Sequence, residues 1–309
     1  MAISSMKTGL MKRSLLVGNA AFDPAALVRG LFAGGSSTNV IDYVQITTTG
    51  NATDFGDLTL TRSALGGCAS STRGVFSGGT NGGSYLSSMD YITIATTGNG
   101  TNFGNMTSTR ARHAGLSNET RGIFAGGRND GAIGTIDYIT IATTGNGTNF
   151  GNLAQATQWV SGAASTTRGV FLGGRSSDDS PISTIQYITI ASTGNTTNFG
   201  SLATASGTGA SCSSSTRAVV GGGDVGAGME YITIATTGNG TSFGNLTLSR
   251  VVLSATSSST RGIFGGGSGP TNTMDYITIA TTGNAVDFGD LTVARDALAA
   301  CSNGHGGLQ

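Results

Sequence analysis

Hydrophobic and polar positions alternate along short segments of this chain, and glycine-rich turns separate the segments. In residues 91–95 (YITIA), Ile92 and Ile94 take every second position, a period typical of a β-strand with one buried face. The following Gly-Asn-Gly at 98–100 supplies residues that tolerate the positive φ of a tight turn. No window keeps the apolar i, i+3, i+4 spacing of a helix for three turns. The pattern therefore predicts an all-β protein.

This strand-and-turn pattern recurs six times. An arginine opens each unit, a tyrosine lies in the alternating segment, and a phenylalanine follows the turn. The arginines, 44 to 49 residues apart, are Arg29, Arg73, Arg121, Arg168, Arg217 and Arg261; the tyrosines are Tyr43, Tyr91, Tyr138, Tyr187, Tyr231 and Tyr276; the phenylalanines are Phe55, Phe103, Phe150, Phe199, Phe243 and Phe288. Units of this length with four short strands indicate propeller blades. We predict a six-bladed β-propeller of four-stranded antiparallel blades at 29–309, preceded by an extended N-terminal arm at 1–28.

Small side chains fill the segment before each opening arginine, as expected for an innermost strand crowded around an axis. The first unit has no such segment ahead of it, whereas residues 295–301 copy one. We therefore expect the C-terminal strand to complete the first blade and close the ring, which leaves no unpaired inner edge. Cys68, Cys212 and Cys301 share one point of this segment and are predicted to be small buried hydrophobes.

Composition and charge narrow the function classes. The 16 Lys and Arg balance 16 Asp and Glu, so bulk electrostatics do not favour a nucleic-acid partner. No stretch approaches the roughly 20 apolar residues of a membrane span, and the apolar run at 15–17 is short for a signal peptide. With only His113 and His305, a histidine metal cluster is excluded. We expect a protein that is not an enzyme, has no cofactor and does not insert into membranes.

Length variation is concentrated in one loop of each unit. From tyrosine to phenylalanine the spacing is 12 residues in all six units, whereas from the glycine doublet to the tyrosine it ranges from 8 to 13. In a propeller, the loop between strands two and three shares a face with the loop between strands four and one. Variation confined to one face is the usual sign of a recognition surface. The longest versions are residues 80–88, 128–135 and 175–184.

Candidate ligand-binding residues lie on these long loops or just after strand four of their units. An aromatic side chain beside arginine and aspartate is common in sugar-binding clefts. The predicted set is Tyr85, Arg112, Arg128, Trp159, Arg175, Asp178 and Asp179. The competing interpretation is that these are plain surface loops with Trp159 packed between blades.

An acidic residue precedes most of the repeated tyrosines. Pairing with the opening arginine across neighbouring strands of one blade would account for both without a ligand. The predicted structural pairs are Arg73 with Asp90, Arg121 with Asp137, and Arg261 with Asp275. In the fourth unit, Gln186 replaces the acid, and a hydrogen bond from Arg168 would satisfy it.

Residues 29–302 resemble Kelch repeats. The shared features are a glycine doublet closing strand two, an acid before a tyrosine in strand three, and an aromatic with a trailing arginine in strand four. The chain departs in having phenylalanine where Kelch repeats have tryptophan, and in the longer TTGNGTN segment before it. The resemblance implies a Kelch-like propeller, and the departures weaken any inference about Kelch partners.

Two segments of these same repeats are similar to segments of glycine-rich repeat proteins of marine tailed bacteriophages. They are RGLFAGG at 29–35 and TDFGDLT at 53–59, and residues 4–9 and 14–19 resemble the leader of cyanophage virion proteins. This resemblance implies a virion structural protein of the tail or a fibre, present in multiple copies per particle. Its partners would be other virion proteins, bound through the arm at 1–28, and a host-surface glycan or receptor.

Two alternatives stay open at this point. One is a secreted or surface lectin-like propeller with a cleaved leader, which an intact Met1 or Ala2 in the mature protein would exclude. The other is an enzyme, which would have to show turnover that survives removal of adventitious metal. The sequence does not give the ligand, the copy number or the position in a particle.

Overall fold

A computed structural model describes residues 28–304, and these form six four-stranded antiparallel sheets. The strands of each sheet follow the repeat, because one apolar-alternating segment per unit supplies strand three and one small-residue segment supplies strand one. The predicted six-bladed all-β propeller is confirmed. The predicted arm at 1–28 falls almost wholly on residues 1–27, which lie outside the described part of the chain.

Each blade runs from an inner strand at the axis to an outer strand at the rim. Blade I contains β28 (Ala299–Ser302), β1 (Arg29–Ala33), β2 (Val40–Gln45) and β3 (Thr53–Asp57). Blade II contains β4 (Gly66–Ala69), β5 (Arg73–Ser77), β8 (Ser88–Thr93) and β9 (Thr101–Asn105). Blade III contains β10 (Ala114–Ser117), β11 (Arg121–Ala125), β14 (Thr135–Thr140) and β15 (Thr148–Asn152).

The second half of the ring repeats this order. Blade IV contains β16 (Ser161–Ala164), β17 (Arg168–Leu172), β18 (Thr184–Thr189) and β19 (Thr197–Ser201). Blade V contains β20 (Ala210–Ser213), β21 (Arg217–Gly221), β22 (Gly228–Thr233) and β23 (Thr241–Asn245). Blade VI contains β24 (Ser254–Ser257), β25 (Arg261–Gly265), β26 (Thr273–Thr278) and β27 (Val286–Asp290).

Short elements decorate the loops between strands two and three. In blade II, β6 (Thr80–Asn81) pairs with β7 (Ser84–Tyr85), and in blade III, β12 (Arg128–Asn129) pairs with β13 (Gly131–Ala132). Blade V carries a short 3-10 helix at Gly223–Val225. No helix in the described part of the chain is long and apolar enough to cross a membrane.

The C-terminal strand closes the ring, as predicted. Strand β28 pairs with β1 in antiparallel register, with Cys301 opposite Leu31. Just beyond the strand, the Arg29 amide donates to Asn303 Oδ1 at 2.8 Å. Blade I is therefore built from both ends of the described chain.

The apolar core lies in layers between successive blades. Ile92 and Ile94 of blade II are buried in one cluster with Leu31 of blade I. The free cysteines Cys68, Cys212 and Cys301 are buried in the inner strands, as predicted. Burial raises the pKa of the Cys212 thiol to about 12, so this thiol is uncharged near neutral pH.

At the rim, the turn after strand three of each blade packs against the outer strand of the preceding blade. Asn99 Oδ1 accepts a hydrogen bond from the Asp57 amide at 3.0 Å, and Asn51, Asn146, Asn195, Asn239 and Asn284 make the equivalent contact. The approach is close enough that a Cβ on Gly104 would lie 2.2 Å from the Gly145 oxygen. Only glycine fits there, which explains the invariant Phe-Gly of the repeat.

Candidate functional site

The ion pairs predicted inside each blade do not form in the described structure. Arg73 does not pair with Asp90, nor Arg121 with Asp137, nor Arg261 with Asp275; each acid is bound by a different arginine. Gln186 likewise accepts from the Ala154 amide at 2.8 Å and from Thr196 Oγ1 at 2.6 Å instead of from Arg168. The pairing prediction was wrong because the opening arginines have other partners.

Each opening arginine stacks on the tyrosine of its own blade and reaches into the next blade. Arg73 lies 4.4 Å above the centre of the Tyr91 ring, and its Nη1 donates to the Ile141 carbonyl at 2.9 Å. The equivalent residues Arg29, Arg121, Arg168, Arg217 and Arg261 do the same. These residues join blades by cation–π and hydrogen-bonding contacts.

The acids pair instead with the arginine that follows strand four of the preceding blade. Arg110 Nη2 lies 2.7 Å from Asp137 Oδ2, and both side chains are fully buried. Asp137 also accepts from the Thr107 amide and hydroxyl. The same arrangement joins Arg62 to Asp90, Arg250 to Asp275 and Arg295 to Asp42. Each pair crosses a junction between two blades, and each guanidinium also donates to backbone carbonyls.

The two junctions beside blade IV differ from the other four. Between blades III and IV the pair is replaced by Thr157 and Gln186, which are both buried. Between blades IV and V, Ser206 replaces the arginine and Glu230 the aspartate. Glu230 is only half-buried and accepts from the Ala203 amide at 2.8 Å. An acid without an arginine is thus left within reach of water, which fits the high cost of an unpaired buried charge.

A signal for this pairing is present in the sequence. The arginine after strand four is missing twice, at Thr157 and Ser206, and the aspartate is missing from the next unit in both cases, at Gln186 and Glu230. The opening arginine is present in all six units, including the one with Gln186. Joint presence and absence among repeats of one chain therefore identifies the true partner.

Six equivalent residues form a ring around the axis on the face that carries the loops between strands two and three and between strands four and one, here called the loop face. They are Ala64, Arg112, Trp159, Thr208, Val252 and Ala297, all in the left-handed region with φ between 52° and 61°. Around most of the ring, the amide of one member donates to the carbonyl of the member before it. The Arg112 amide, for example, donates to the Ala64 carbonyl at 2.7 Å, and the Trp159 amide to the Arg112 carbonyl at 2.7 Å.

This ring holds its backbone shape whatever side chain it carries. β-branched residues are genuine outliers in the left-handed region, yet Thr208 and Val252 adopt it. Such a conformation costs on the order of 1–3 kcal/mol and persists only where the surroundings impose it. The side chain at the ring position is therefore free to differ between blades, and it differs more than most positions of the repeat.

The ring surrounds the mouth of a pocket on the axis with a volume of about 100 Å³. All six ring residues line it, together with His113 and the small residues that begin the inner strands. The pocket is smaller than the roughly 300–1,000 Å³ of a typical small-molecule site. It can admit a substituent of a larger ligand rather than a whole sugar ring.

Four of the seven predicted ligand-binding residues, Arg112, Trp159, Arg175 and Asp179, belong to one network at this mouth. The Arg112 guanidinium lies 4.9 Å from the Trp159 ring centre, and Trp159 is half-buried. Arg112 Nη1 donates to Gln158 Oε1 at 3.0 Å, and Gln158 Nε2 donates to Asp179 Oδ1 at 3.2 Å. Burial lowers the pKa of Arg112, and the positive charge of Arg128 lowers it further.

Arg175 carries the network from blade IV to blade V. Its Nη1 donates to the Asp179 carbonyl at 2.8 Å, and its Nη2 forms an ion pair with Asp224. Asp224 also accepts from the Gly207 amide at 2.8 Å. Gln158 and Asp224 were missed because nothing in the repeat marks them.

The remaining predicted residues stand at different distances from this cluster. Tyr85, which is half-buried, lies in the short strand β7 that pairs with β6. Asp178 sits apart in an exposed turn, where Ser176 and Ser180 donate to it, and these hydrogen bonds lower its pKa. The structure therefore brings Arg112, Trp159, Arg175 and Asp179 into one network, and leaves Asp178 outside it.

His113 forms part of the pocket wall directly after Arg112. It is buried, and its Nε2 lies 2.8 Å from Ser77 Oγ, while its Nδ1 has no hydrogen-bond partner. Burial lowers the pKa of His113 well below 6.5, and the nearby Arg110 lowers it further. The imidazole is therefore neutral at neutral pH.

No protein family matches this chain, and no curated protein matches it either. Across residues 28–304, no group of three or more His, Cys, Asp or Glu side chains is placed to hold a metal ion. What the loop face can do chemically follows from its own residues: an aromatic ring, a stacked guanidinium and a small pocket lined mainly by small residues suit binding.

Proposed function

We propose that this protein is a non-enzymatic binding propeller of a phage particle, a Kelch-like tail or fibre component whose loop face recognises a host-surface glycan. The observation that carries the proposal is the stacked pair of Arg112 and Trp159 at the mouth of the axial pocket. A half-exposed indole offers an apolar surface to a sugar ring, and a guanidinium beside it offers donors to the sugar's oxygens.

The resemblance of residues 4–9 and 14–19 to virion protein leaders supports the placement in a particle. In this proposal, residues 1–28 dock the protein to neighbouring virion subunits, in several copies per particle, and the propeller faces outward. The near-zero net charge supports recognition by a few anchoring side chains rather than by long-range steering.

The test is adsorption of particles that carry Trp159→Ala together with removal of residues 176–180. This variant removes the indole and the Asp179 link of the network while leaving the six sheets intact. We expect particles to assemble and to lose attachment to host cells and to isolated host glycans. The matched control is Glu119→Gln, which changes an exposed residue in the turn between strands one and two, on the opposite face.

Two outcomes would count against the proposal. Wild-type adsorption of the Trp159 variant would mean that the loop face is not the recognition surface. Failed assembly of that variant, with normal assembly of the Glu119 control, would mean that the loop face contacts other virion proteins instead.

A further inference from the structure

Arg112, at the mouth of the axial pocket, makes its side-chain hydrogen bond to a neutral group. Arg112 donates to the neutral amide oxygen of Gln158 rather than to a carboxylate. Asp179 is engaged by Gln158 and by Arg175. Arg128 adds a second positive charge close enough to affect Arg112.

The guanidinium of Arg112 is oriented by its stacking on Trp159. The two groups are 4.9 Å apart, and Gln158 Oε1 engages Nη1. An arginine has five N–H donors, and a stacked guanidinium presents them along its edge. That edge matches the two oxygens of a carboxylate, which accepts two parallel hydrogen bonds from one guanidinium.

We propose that this pocket mouth binds an acidic sugar residue, with its carboxylate on the edge of Arg112 and its apolar face against Trp159. The inference rests on the proposed glycan recognition and names the class of ligand, a hexuronic-acid unit. The pocket volume of about 100 Å³ admits one substituent, so the sugar ring itself stays at the mouth.

The test uses the fluorescence of Trp159, because the chain contains a single tryptophan and any ligand-induced change reports this site. The full chain is titrated with methyl glucuronide, methyl glucoside and acetate. We expect a saturable change with the glucuronide and at least tenfold weaker binding of the glucoside, which lacks the carboxylate. Acetate, which lacks the ring, should also bind at least tenfold more weakly.

Variants of Arg112 test whether this side chain binds the carboxylate of the ligand. Arg112→Met should weaken glucuronide binding at least tenfold and leave glucoside binding little changed, while Arg112→Lys should fall between Arg112→Met and the wild type. The matched control is Leu248→Gln, which replaces an exposed apolar residue of the loop face outside the pocket and should bind like wild type. Thermal melting of every variant verifies that the fold is retained.

Failure of this inference is separable from failure of the proposed function. Equal affinity for the glucoside and the glucuronide would overturn the acidic ligand class and leave glycan recognition standing. No fluorescence response to any of the three probes, in a protein whose particles still need Trp159 for adsorption, would also overturn it. Tight glucuronide binding in particles that adsorb without Trp159 would uphold the inference and overturn the proposed function.

Discussion

Four junctions between blades hold a buried ion pair, whereas the two beside blade IV hold none within residues 28–304. The difference involves three positions at once. Where Thr107, Arg110 and Asp137 occur at one junction, Ala154, Thr157 and Gln186 occur at the next. An isolated buried charge is strongly destabilising, while loss of both partners is tolerated. The buried pair is therefore kept or lost as a unit, and the acid that remains where the arginine is missing, Glu230, is only half-buried.

Blade IV has its ionic contact at the surface instead. Arg175 and Asp224 connect blades IV and V above Ser206, where the buried arginine is missing, and the Gly207 amide donates to Asp224. A surface ion pair contributes little to stability. Breaking a buried ion pair on one side, in contrast, is strongly destabilising. Trp159 thus lies two residues after Thr157, at a junction without the internal pair, whereas Arg112 follows Arg110 of a paired junction.

The largest expected effect comes from breaking one buried pair on one side. Arg110→Met leaves the Asp137 carboxylate without its cation and should lower the free energy of unfolding by about 3–5 kcal/mol. Arg110→Met with Asp137→Asn should recover most of this loss. The control, Arg121→Met, removes a guanidinium from a carbonyl and a tyrosine and should cost only about 1–2 kcal/mol. Urea unfolding measures all three, and equal costs for the two single variants would contradict the corrected pairing.

A smaller effect on stability is expected when one member of an ion pair is introduced at the junction of blades III and IV. Thr157→Arg places a cation against Gln186 and should cost about 2–3 kcal/mol. Adding Gln186→Asp should restore at least half of that, because it supplies the missing partner. A double-mutant cycle measures the coupling, and additive effects would show that this junction cannot house the pair.

The pH dependence of stability tests the junction of blades II and III, where His113 is buried. Because the pKa of His113 in the folded protein lies below 6.5, this side chain takes up a proton more readily in the unfolded chain than in the folded chain. Stability is therefore full above about pH 6.5 and falls as the pH drops below it, by up to about 1.4 kcal/mol per pH unit. His113→Leu, which restores the residue of Leu65, Leu253 and Leu298, should flatten this slope. An unchanged slope in denaturation curves from pH 7 to pH 5 would assign the effect to other groups.

The smallest effect is expected at the surface link itself. Asp224→Asn should cost less than about 1 kcal/mol, and the difference from wild type should shrink as salt is added. Unfolding curves at low and high ionic strength measure it. A loss as large as that of Arg110→Met would mean that the surface link replaces the buried pair in strength as well as in position.

Periodicity predicts the fold because local pattern and long-range closure agree. The alternation in residues 91–95 defines a strand, and the copied small-residue segment at 295–301 predicts the partner of β1. Both inferences need only the rule that a half-buried strand has a period of two residues and that sheet edges are paired.

The pairing of charges was not predictable from proximity in sequence. Arg73 and Asp90 lie in neighbouring strands, with Asp90 opposite Phe76 rather than Arg73, so the arginine is three pairs away. Arg62, the actual partner, belongs to the preceding blade and reaches Asp90 only because the blades stack. The loop-face cluster was partly predictable from the unusual residues Arg112 and Trp159, whereas Gln158 and Asp224 depend on loop conformations that carry no repeat pattern.

The pairing of β28 with β1 also sets an order in time. Arg29 and Asn303, which meet beside these strands, are separated by 274 residues, so a ribosome adding about 5–20 residues per second needs roughly 14 to 55 s to travel between them. During that interval β1 to β3 have emerged without the strand that covers their inner edge. Blade I is thus the first of the six blades to be started and the last to be finished.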